Sequence, residues 1–470
     1  MDRREFLGGA AGFGLLAGCR TLGLASLGAP RLKLGVLSDI HLRKEGDEAT
    51  LLKALAYFRD HGADGVLVAG DIADNGMIFQ LKMFADAWNQ VFPNDTAPDG
   101  RHVEKLFVYG NHDYWNGYDP KEKKFRAGSI GENRGWAKVW EETFHEPYSD
   151  YWLKFVKGVP IVGAHWNGSD QFEGLHPFLK AHQDELDPSK PMIYTQHAHP
   201  KDTVFGPWAW GHDNGSSTCI LASYPKAVAF TGHSHYSLVD ERSVWQGSFT
   251  SINTSSLRYA STDFSLRENV CGNTDGYRGD RDWRLRRTKL LNGKTEDGRG
   301  GMLVSVWDDL LVVERREFVY GESLGDDWVI PLPATGADAP WSFARRAAKR
   351  VAPQFAAGAR PTVSFEELPD WKLTHINVTF PAARPVQGCR VNDYEVTAIL
   401  VEDDVELVQT QRRMVAPDSY KPLSQLDKTV TFTIAKEDLP LKGHYRFEVR
   451  PVECFGKKGE KIVSDIVEIV

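Results

Sequence analysis

The sequence is poor in cysteine and carries no excess of positive charge. Its 470 residues include five cysteines, without a CxxC pair or a Cys/His zinc-finger spacing, which argues against a cysteine-based zinc module. Lys and Arg number 56 against 64 Asp and Glu, a formal net charge of -8, so a surface for nucleic acid is not expected. A local cluster of cations, metal ions included, can still bind phosphate inside an acidic protein.

Long hydrophobic runs are also missing. In "MDRREFLGGAAGFGLLAGC", Arg3 and Arg4 precede an apolar run from Phe6 to Gly18, which is too short to span a bilayer comfortably. The stretch resembles a twin-arginine export signal, and "LAGC" resembles a lipobox, in which Cys19 becomes the lipidated N-terminus after cleavage. The alternative is an uncleaved hydrophobic anchor. Both predict an exported chain, and the lipobox predicts a periplasmic or cell-envelope lipoprotein of a bacterium, held to the membrane through Cys19.

The remaining cysteines, Cys219, Cys271, Cys389 and Cys454, allow three pairings that the sequence does not rank. A bridge between Cys389 and Cys454 is compatible with an oxidising envelope, and two buried free thiols are the alternative.

With 470 residues and 41% hydrophobic content, the chain is globular and too long for one ordinary core. The first part alternates strand and helix patterns: "RLKLGVLSD", "ADGVLVAGD" and "EKLFVYGNHD" read as strands, and "DEATLLKALAYFRDHG" and "MIFQLKMFADAWNQVF" as amphipathic helices, the first stopped by Gly62. This β-α-β-α-β order predicts a sheet with parallel strands, covered by helices, whose ligand site lies at the carboxyl ends of the strands.

Later strand-like runs, among them "VPIVGAHW", "PMIYTQHAH", "KAVAFTGHSH" and "GMLVSVWDDLLVVERREFVY", predict a second sheet. The composition then shifts to Ala, Pro, Gly and Arg, which indicates a linker or covering segment. The remainder alternates apolar and polar residues, as a small β-sandwich would, and "GHYRFEVRPVECFGKKGEKIVS" resembles the last strand pair of a fibronectin type III or immunoglobulin-like module. The predicted divisions are a signal at 1–30, a catalytic domain at 31–335, a linker at 336–360 and the sandwich at 361–470.

Polar side chains recur where the apolar runs end. They are carboxylates, imidazoles and one amide, namely Asp39, His41, Asp71, Asn111, His112, Asp113, His197, His199, His233 and His235. This set suits zinc, manganese or iron better than calcium, which prefers oxygen ligands only. It contains enough ligands for two divalent metal ions.

In order, D-x-H, G-D, G-N-H-D, H and G-H-x-H resemble the five blocks of the calcineurin-like metallophosphoesterases, over roughly residues 31–335. The resemblance implies an α/β fold, a four-layer α/β/β/α sandwich, here followed by a small all-β sandwich domain. It also implies two metal sites, in which Asp39, His41 and His235 hold one ion, Asn111, His197 and His233 hold the other, and Asp71 bridges them. A bridging hydroxide would then attack phosphorus in line.

The same resemblance suggests roles within "GNHD". Gly110 would let the strand turn tightly, His112 would protonate the departing alkoxide, and Asp113 would fix the His112 ring. In "HAHP", His197 follows the strand directly and is the preferred ligand, which leaves His199 as a phosphate contact or an ordinary surface histidine. Purple acid phosphatases have a tyrosine three residues after the bridging aspartate, where this chain has Asp74, so a ferric-tyrosinate site is not expected.

"VFGPWAWGHDNGSS", with Trp208 and Trp210, would form a cleft wall for an organic leaving group, or pack between sheets. The expected function is a binuclear metal-dependent phosphoesterase acting on a phosphomonoester or phosphodiester, with a phosphorylated small molecule or lipid as substrate. A catalytically silent scaffold and a surface glycan-binding protein are the alternatives. The enzyme is favoured because every expected ligand and catalytic position is filled.

Overall fold

The computed structural model describes residues 28–169, 172–206, 209–261, 294–295, 298–403 and 405–470. Residues 1–27, which hold most of the predicted export signal, and Cys271 lie outside the described residues. The elements of the first part are, in chain order, β1 (Leu32–Leu37), α1 (Ala49–Asp60), β2 (Gly65–Ala69), α2 (Ile78–Val91), β3 (Glu104–Val108), α3 (Asn111–Trp115), β4 (Tyr118–Asp119), β5 (Lys124–Phe125), α4 (Trp136–Phe144), β6 (Tyr151–Val156), β7 (Val159–Ala164), α5 (Leu175–Ala181), β8 (Met192–Thr195), α6 (Ser216–Leu221), β9 (Ala227–Thr231), β10 (Val244–Gln246), β11 (Thr250–Asn253), β12 (Ala260–Ser261), β13 (Lys294–Thr295), β14 (Gly300–Val306), β15 (Leu310–Glu317), β16 (Glu322–Ser323), β17 (Trp328–Pro331) and α7 (Phe343–Lys349).

The first sheet confirms the predicted β-α-β-α-β unit. Strands β1, β2 and β3 are parallel neighbours, and α1 and α2 cross between them on one face. Helix α1 buries Leu51, Leu55 and Phe58 along one side and ends at Asp60, two residues before Gly62 with a φ of +77°. A left-handed φ at this position ends a helix cheaply only in glycine, which explains the stop predicted from the sequence.

The prediction that the later strand-like runs form a second sheet is wrong for "GMLVSVWDDLLVVERREFVY", which forms β14 and β15. They extend the first sheet, whose order is β16-β15-β14-β1-β2-β3 with β17 also on β15. Strand β14 pairs antiparallel with β1, so the chain returns to its own beginning after building the second sheet. The second sheet has the order β10-β11-β9-β8-β7-β6, and its central strands β7, β8 and β9 are parallel.

The two sheets pack face to face with helices outside them. Leu34 and Val36 of β1 share a fully buried cluster with Ile193 of β8 and Phe230 of β9. The outer face of the first sheet packs against α1, α2 and α4, and the outer face of the second against α5 and α6. This α/β/β/α layering agrees with the prediction. It brings the carboxyl ends of the parallel strands of both sheets to one region.

The C-terminal region consists mostly of β-strands. They are β18 (Thr362–Leu368), β19 (Leu373–Pro381), β20 (Asp393–Glu402), β21 (Val405–Val415), β22 (Thr429–Ala435), β23 (Gly443–Val452), β24 (Ile462–Val463) and β25 (Val467–Ile469). One sheet has the order β18-β19-β22, the other has β21-β20-β23 with β24 and β25 on β23, and every pairing is antiparallel. A hydrophobic core lies between them.

The other expectations on this region have mixed outcomes. Cys389 and Cys454 are both buried free thiols, so the alternative without a bridge is the one observed. The segment predicted as a linker contains α7, whose Arg346 guanidinium donates to the backbone carbonyls of Glu241 and Val244. The domain boundaries stay predictions. Within the described ranges, no helix has both the length and the apolar character needed to cross a membrane.

Candidate metal centre

The polar side chains predicted as ligands converge where the parallel strands end. Asp39, Asp71 and Asn111 follow β1, β2 and β3 of the first sheet, while His197 and His233 follow β8 and β9 of the second. Three overlapping groups have their potential ligand atoms within 4.8 Å of one another, namely Asp39, His41 and His235; His41, Asp71 and His112; and Asp71, His197 and His233. Segments almost 200 residues apart in the chain therefore meet in one buried cluster.

The first group has the spacing of atoms that share an ion. Nε2 of His235 lies 2.9 Å from Oδ1 of Asp39 and 3.1 Å from Nε2 of His41. Atoms bound at 2.0 to 2.1 Å to one octahedral or tetrahedral ion stand about 2.8 to 3.4 Å apart. The other oxygen of Asp39 is already engaged, because it accepts from the Ser38 hydroxyl at 2.5 Å and from the His233 backbone N–H at 3.0 Å. Oδ1 is thus the oxygen that remains for a cation.

The group of Asp71, His197 and His233 is arranged around Asp71. Oδ2 of Asp71 lies 3.1 Å from Nε2 of His197 and 3.6 Å from Nε2 of His41, so one carboxylate oxygen faces ligands of this group and of the first. The His233 ring lies 4.8 Å from the His197 ring. The amide oxygen Oδ1 of Asn111 is buried and accepts no hydrogen bond from the residues that the structure describes. A buried oxygen without a donor is costly unless a cation satisfies it, so this position fits a metal ligand.

Contacts of the opposite ring nitrogens orient the histidines. Nδ1 of His41 lies 2.9 Å from Oδ1 of Asp74, and Nδ1 of His197 lies 2.7 Å from the Ala69 carbonyl oxygen. Both partners only accept, so Nδ1 carries the hydrogen in each ring and Nε2 is left with its lone pair toward the cluster. In the sequence, Asp74 stands out only as the residue found where purple acid phosphatases have a tyrosine. Apart from its nearness to Asp71, nothing in the sequence predicts that it contacts His41.

The electrostatics of the cluster favour cations. Burial disfavours a charged imidazole, yet Asp39, Asp74 and Asp71 together raise the pKa of His41 to about 10. Burial likewise opposes charge on His197, but Asp71 and Asp39 raise its pKa to about 9. Burial raises the pKa of Asp39, an effect overcome by His235 and His197, which hold it well below its ordinary value. Buried carboxylates that remain ionised require positive charge beside them.

The backbone at the cluster is unusual. Five of the seven predicted metal ligands have a left-handed φ, namely Asp39 (50°), His41 (48°), Asp71 (53°), His233 (71°) and His235 (58°). This conformation costs a residue other than glycine roughly 1 kcal/mol or more, so it persists only where the surroundings impose it. Its concentration in one cluster indicates that the chain leaves the strands so as to aim these side chains inward.

Glycines in the motifs leave room for these side chains. A Cβ on Gly110 would lie 2.1 Å from Oδ1 of Asp71, and one on Gly232 would lie 1.9 Å from Oγ of Ser38. Gly70 has a φ of +90°, and its Cβ would lie 2.6 Å from Nδ1 of His197. The chain turns at Gly110 from β3 into α3, but its φ of -105° is open to any residue, so the turn itself does not require glycine. Glycine is needed there because Asp71 approaches the backbone.

His112 lies beside the ligands, but its predicted contact with Asp113 is not made. The His112 ring meets the His41 ring edge-on, with ring centres 4.5 Å apart, and Nδ1 lies 2.8 Å from the Asp74 carbonyl oxygen. The buried Asp113 carboxylate instead accepts from the backbone N–H groups of Ile72, Ala73 and Gly110 at 3.2, 2.6 and 2.8 Å. Asp113 therefore ties together the loops that follow β2 and β3.

The two expectations for His199 are both wrong. His199 is fully buried, and its ring nitrogens lie 2.8 Å from the hydroxyl oxygens of Thr231 and Ser234, so it is neither a surface residue nor a phosphate contact. Trp210 does border the cluster, where its ring stacks on His233. Trp208 lies outside the described residues.

Comparison with known proteins gives one family match. Residues 32–237, less than half of the chain, match the family model described as Calcineurin-like phosphoesterase. The first part of the chain therefore has the metallophosphoesterase α/β fold, followed by a region of mostly β-strand sheets. The match and the Asp/His cluster together indicate a phosphoesterase domain with a candidate metal-binding site. No curated protein matches the chain.

Solved structures resemble part of the chain at low identity. A dimetal phosphatase from Danio rerio is 12% identical, with 64% of this chain and 99% of that chain covered and a TM-score of 0.37. A purple acid phosphatase from yellow lupin seeds is 16% identical, with 64% of this chain and 53% of that chain covered and a TM-score of 0.37.

Proposed function

We propose that this protein is a binuclear metal-dependent phosphoric ester hydrolase. The observation that carries the proposal is the position of Asp71, whose Oδ2 faces His41 at 3.6 Å and His197 at 3.1 Å. The donor set of carboxylates, imidazoles and one amide fits borderline divalent ions, so zinc, manganese and iron are the candidates. Two such ions would lower the pKa of a water between them and neutralise charge on the phosphate oxygens.

The residues around the ions have separable tasks in this proposal. Asp39, His41 and His235 hold one ion, Asn111, His197 and His233 hold the other, and Asp71 is shared. His112 is close to both groups and keeps 32% of its side chain exposed, so a substrate can reach it. Its Nδ1 is occupied, because it lies 2.8 Å from the Asp74 carbonyl oxygen and 2.5 Å from the Asn116 amide nitrogen, so Nε2 is the ring nitrogen that protonates the departing oxygen.

A metal and activity test separates this function from a silent scaffold. The full chain, stripped with a chelator and reloaded with zinc, manganese or iron, should bind two ions and then release phosphate from an ester. Asp71→Asn should lose at least one ion and its activity. Two bound ions with no hydrolysis of any monoester or diester in a broad screen would favour the scaffold, and fewer than two ions would contradict the binuclear centre.

Localisation and partners are proposed from the sequence. The twin-arginine and lipobox resemblance of the first residues supports an exported lipoprotein held to the membrane through Cys19. A phosphorylated small molecule or lipid is the proposed substrate. The variant Cys19→Ala tests the anchor. If Cys19 carries the lipid, this variant should leave the membrane fraction of the producing cell, whereas the natural chain should stay in it.

We also infer that the C-terminal region is a fibronectin type III or immunoglobulin-like module. Two antiparallel sheets around one core support this, as does a contact in β23, where the Tyr445 hydroxyl donates to the Leu441 carbonyl at 2.7 Å. A tyrosine that bonds the backbone a few residues upstream at a sheet corner is typical of such sandwiches.

A further inference from the structure

Trp210 is a half-exposed aromatic ring beside the candidate metal centre. It lies on the loop between β8 and α6, and its ring stacks on His233 with centres 4.5 Å apart and planes inclined by 23°. One face is therefore covered, yet 46% of the residue stays exposed. A tryptophan buries more apolar surface than other side chains when it can, so this exposure next to the metal ligands indicates a binding surface.

The described residues around Trp210 make contacts that hold them in place. The backbone N–H of His199 donates to the Gly211 carbonyl at 2.8 Å, and that of Asp213 donates to the His199 carbonyl at 2.7 Å. The rings of Phe205 and Tyr236 pack edge-on at 4.6 Å within a small hydrophobic cluster. The hydrogen bond at Gly211 and the stack on His233 position the ring of Trp210 in advance, which lowers the entropy cost of stacking a ligand on it.

Glycine at position 211 allows the backbone conformation next to Trp210. Gly211 has a φ of +90°, a conformation that is strained in other residues. An added Cβ would make only ordinary van der Waals contacts, at 3.4 Å from Cδ2 of His233 and 3.5 Å from Cδ2 of His199. The chain therefore places Trp210 against a proposed metal ligand through a backbone position that favours glycine.

Arg43, a cation near the cluster, is already paired with Asp74. The Arg43 guanidinium donates to the Asp74 carboxylate through Nε at 2.8 Å and Nη2 at 3.3 Å. Ions at the centre would neutralise the phosphate, so they would not discriminate among the organic groups attached to it. The side chains around the centre must therefore discriminate among these organic groups. Trp210 offers such a group an exposed aromatic face.

We propose that the substrates are phosphate esters with a flat aromatic organic group that stacks on the exposed part of Trp210. This inference rests on the proposed phosphoesterase function and names the substrate class of the same site. A substrate phosphate at the ions would bring its organic group beside His233, where Trp210 lies. Alanine in place of a stacking aromatic residue typically weakens binding by roughly 10-fold or more.

Two phosphonates with the same head group test the proposal by binding. Calorimetry on the full chain loaded with metal would compare phenylphosphonate with methylphosphonate, which lacks the ring. We expect the natural chain to prefer the phenyl compound and Trp210→Ala to weaken its binding about 10-fold. Methylphosphonate binding should change by less than about 2-fold, and Trp210→Phe should keep most of the preference, since it keeps an aromatic face.

Phe155→Ala provides the matched control. Phe155 is 49% exposed, and it lies beside Asp64 and Glu104, which precede β2 and begin β3 at the end of the sheet away from the metal ligands. Its loss should leave the affinity for both phosphonates unchanged. Metal content measured for every variant shows that the centre itself is intact.

The two proposals fail in different ways. If the natural chain binds both phosphonates equally, or Trp210→Ala weakens both by the same factor, the aromatic preference is wrong while the hydrolase proposal stands. If the metal-loaded chain binds neither phosphonate and hydrolyses no ester, the hydrolase proposal itself is wrong.

Discussion

Nδ1 of His112 lies 2.8 Å from the backbone carbonyl oxygen of Asp74, and the carboxylate of the same Asp74 lies 2.9 Å from Nδ1 of His41. One residue thus orients the proposed proton donor through its main chain and a proposed metal ligand through its side chain. In both rings Nδ1 is occupied by these contacts, which leaves Nε2 for the chemistry. Asp113 does not orient the His112 ring. Among the described residues, its carboxylate accepts hydrogen bonds only from backbone N–H groups.

The proton-donor role of His112 predicts a dependence on the leaving group. In His112→Ala, kcat should fall by about 10² to 10⁴ for an alkyl phosphate, whose alkoxide needs a proton as it departs. The loss should be much smaller for p-nitrophenyl phosphate, because p-nitrophenolate departs without protonation. Steady-state kinetics on both esters checks this, with two bound ions confirmed by metal analysis. An equal loss on both would contradict the acid role.

Asp74 should control metal affinity. Asp74→Ala removes the carboxylate that holds the His41 ring, and removing such a partner typically lowers affinity for the metal by roughly 10- to 100-fold. Titration of the stripped protein with zinc measures the change. Arg43→Ala is the control, because it removes the partner on the outer side of Asp74 and leaves the bond to His41 intact. Equal affinity in Asp74→Ala and the natural chain would show that His41 needs no such support.

Parts of this architecture could be predicted from the sequence because they depend on local patterns. Apolar residues in α1 and α2 recur at helical spacing, and the candidate ligands follow apolar runs. The element types and the edge of the sheet that carries the ligands could therefore be predicted. The sheet to which β14 belongs could not be predicted, because strand pairing depends on partners distant in the chain. The alternation of "GMLVSV" fits either sheet.

Other details depend on atomic distances that no pattern carries. The contact between Asp74 and His41 forms where Asp71 and His41 both have a left-handed φ, and the sequence pattern does not specify these backbone angles. The difference between His197 and His199, two residues apart, is also geometric. His197 meets Asp71, whereas His199 is enclosed by the hydroxyls of Thr231 and Ser234.

The absence of a side chain at Gly110 should be required for the metal centre. In Gly110→Ala the new Cβ would overlap Oδ1 of Asp71, which must then move from its place between the two groups. We expect loss of at least one bound ion and a lower free energy of unfolding. Gly100→Ala is the control, because an added Cβ at Gly100 has no atom within 4 Å. The only expected cost of that substitution is the strain of alanine at a φ of +83°. Two ions in Gly110→Ala would show that the loop has room.

Asp113 should contribute stability rather than tune His112. Asp113→Asn keeps one acceptor oxygen for the three backbone N–H groups that the carboxylate now accepts from, so we expect the free energy of unfolding to fall by about 1 to 3 kcal/mol. Chemical denaturation of the metal-free protein measures it. The pH dependence of kcat should keep its shape, which distinguishes this role from the one implied by the family resemblance. A shift in the part of the pH profile that depends on His112 would instead show that Asp113 acts on the His112 ring.

The stability of the protein should depend on pH through His165, a histidine behind the metal centre. Its ring is buried among Tyr109, Trp140 and Tyr148, and its Nδ1 accepts the Tyr109 N–H at 3.0 Å. Burial lowers the pKa of His165 from 6.5 to about 3. A group whose pKa is depressed on folding contributes stability that is complete above the unfolded pKa and is lost as the pH falls toward the folded one. The free energy of unfolding should therefore drop below about pH 6.5, by up to about 1.4 kcal/mol per pH unit from this group.

In His165→Asn, whose amide oxygen can accept the same N–H, the metal-free protein should lose less stability between pH 6.5 and 4.5 than the natural chain does. Denaturation at several pH values checks this, and parallel curves for the two proteins would show that His165 does not carry the dependence.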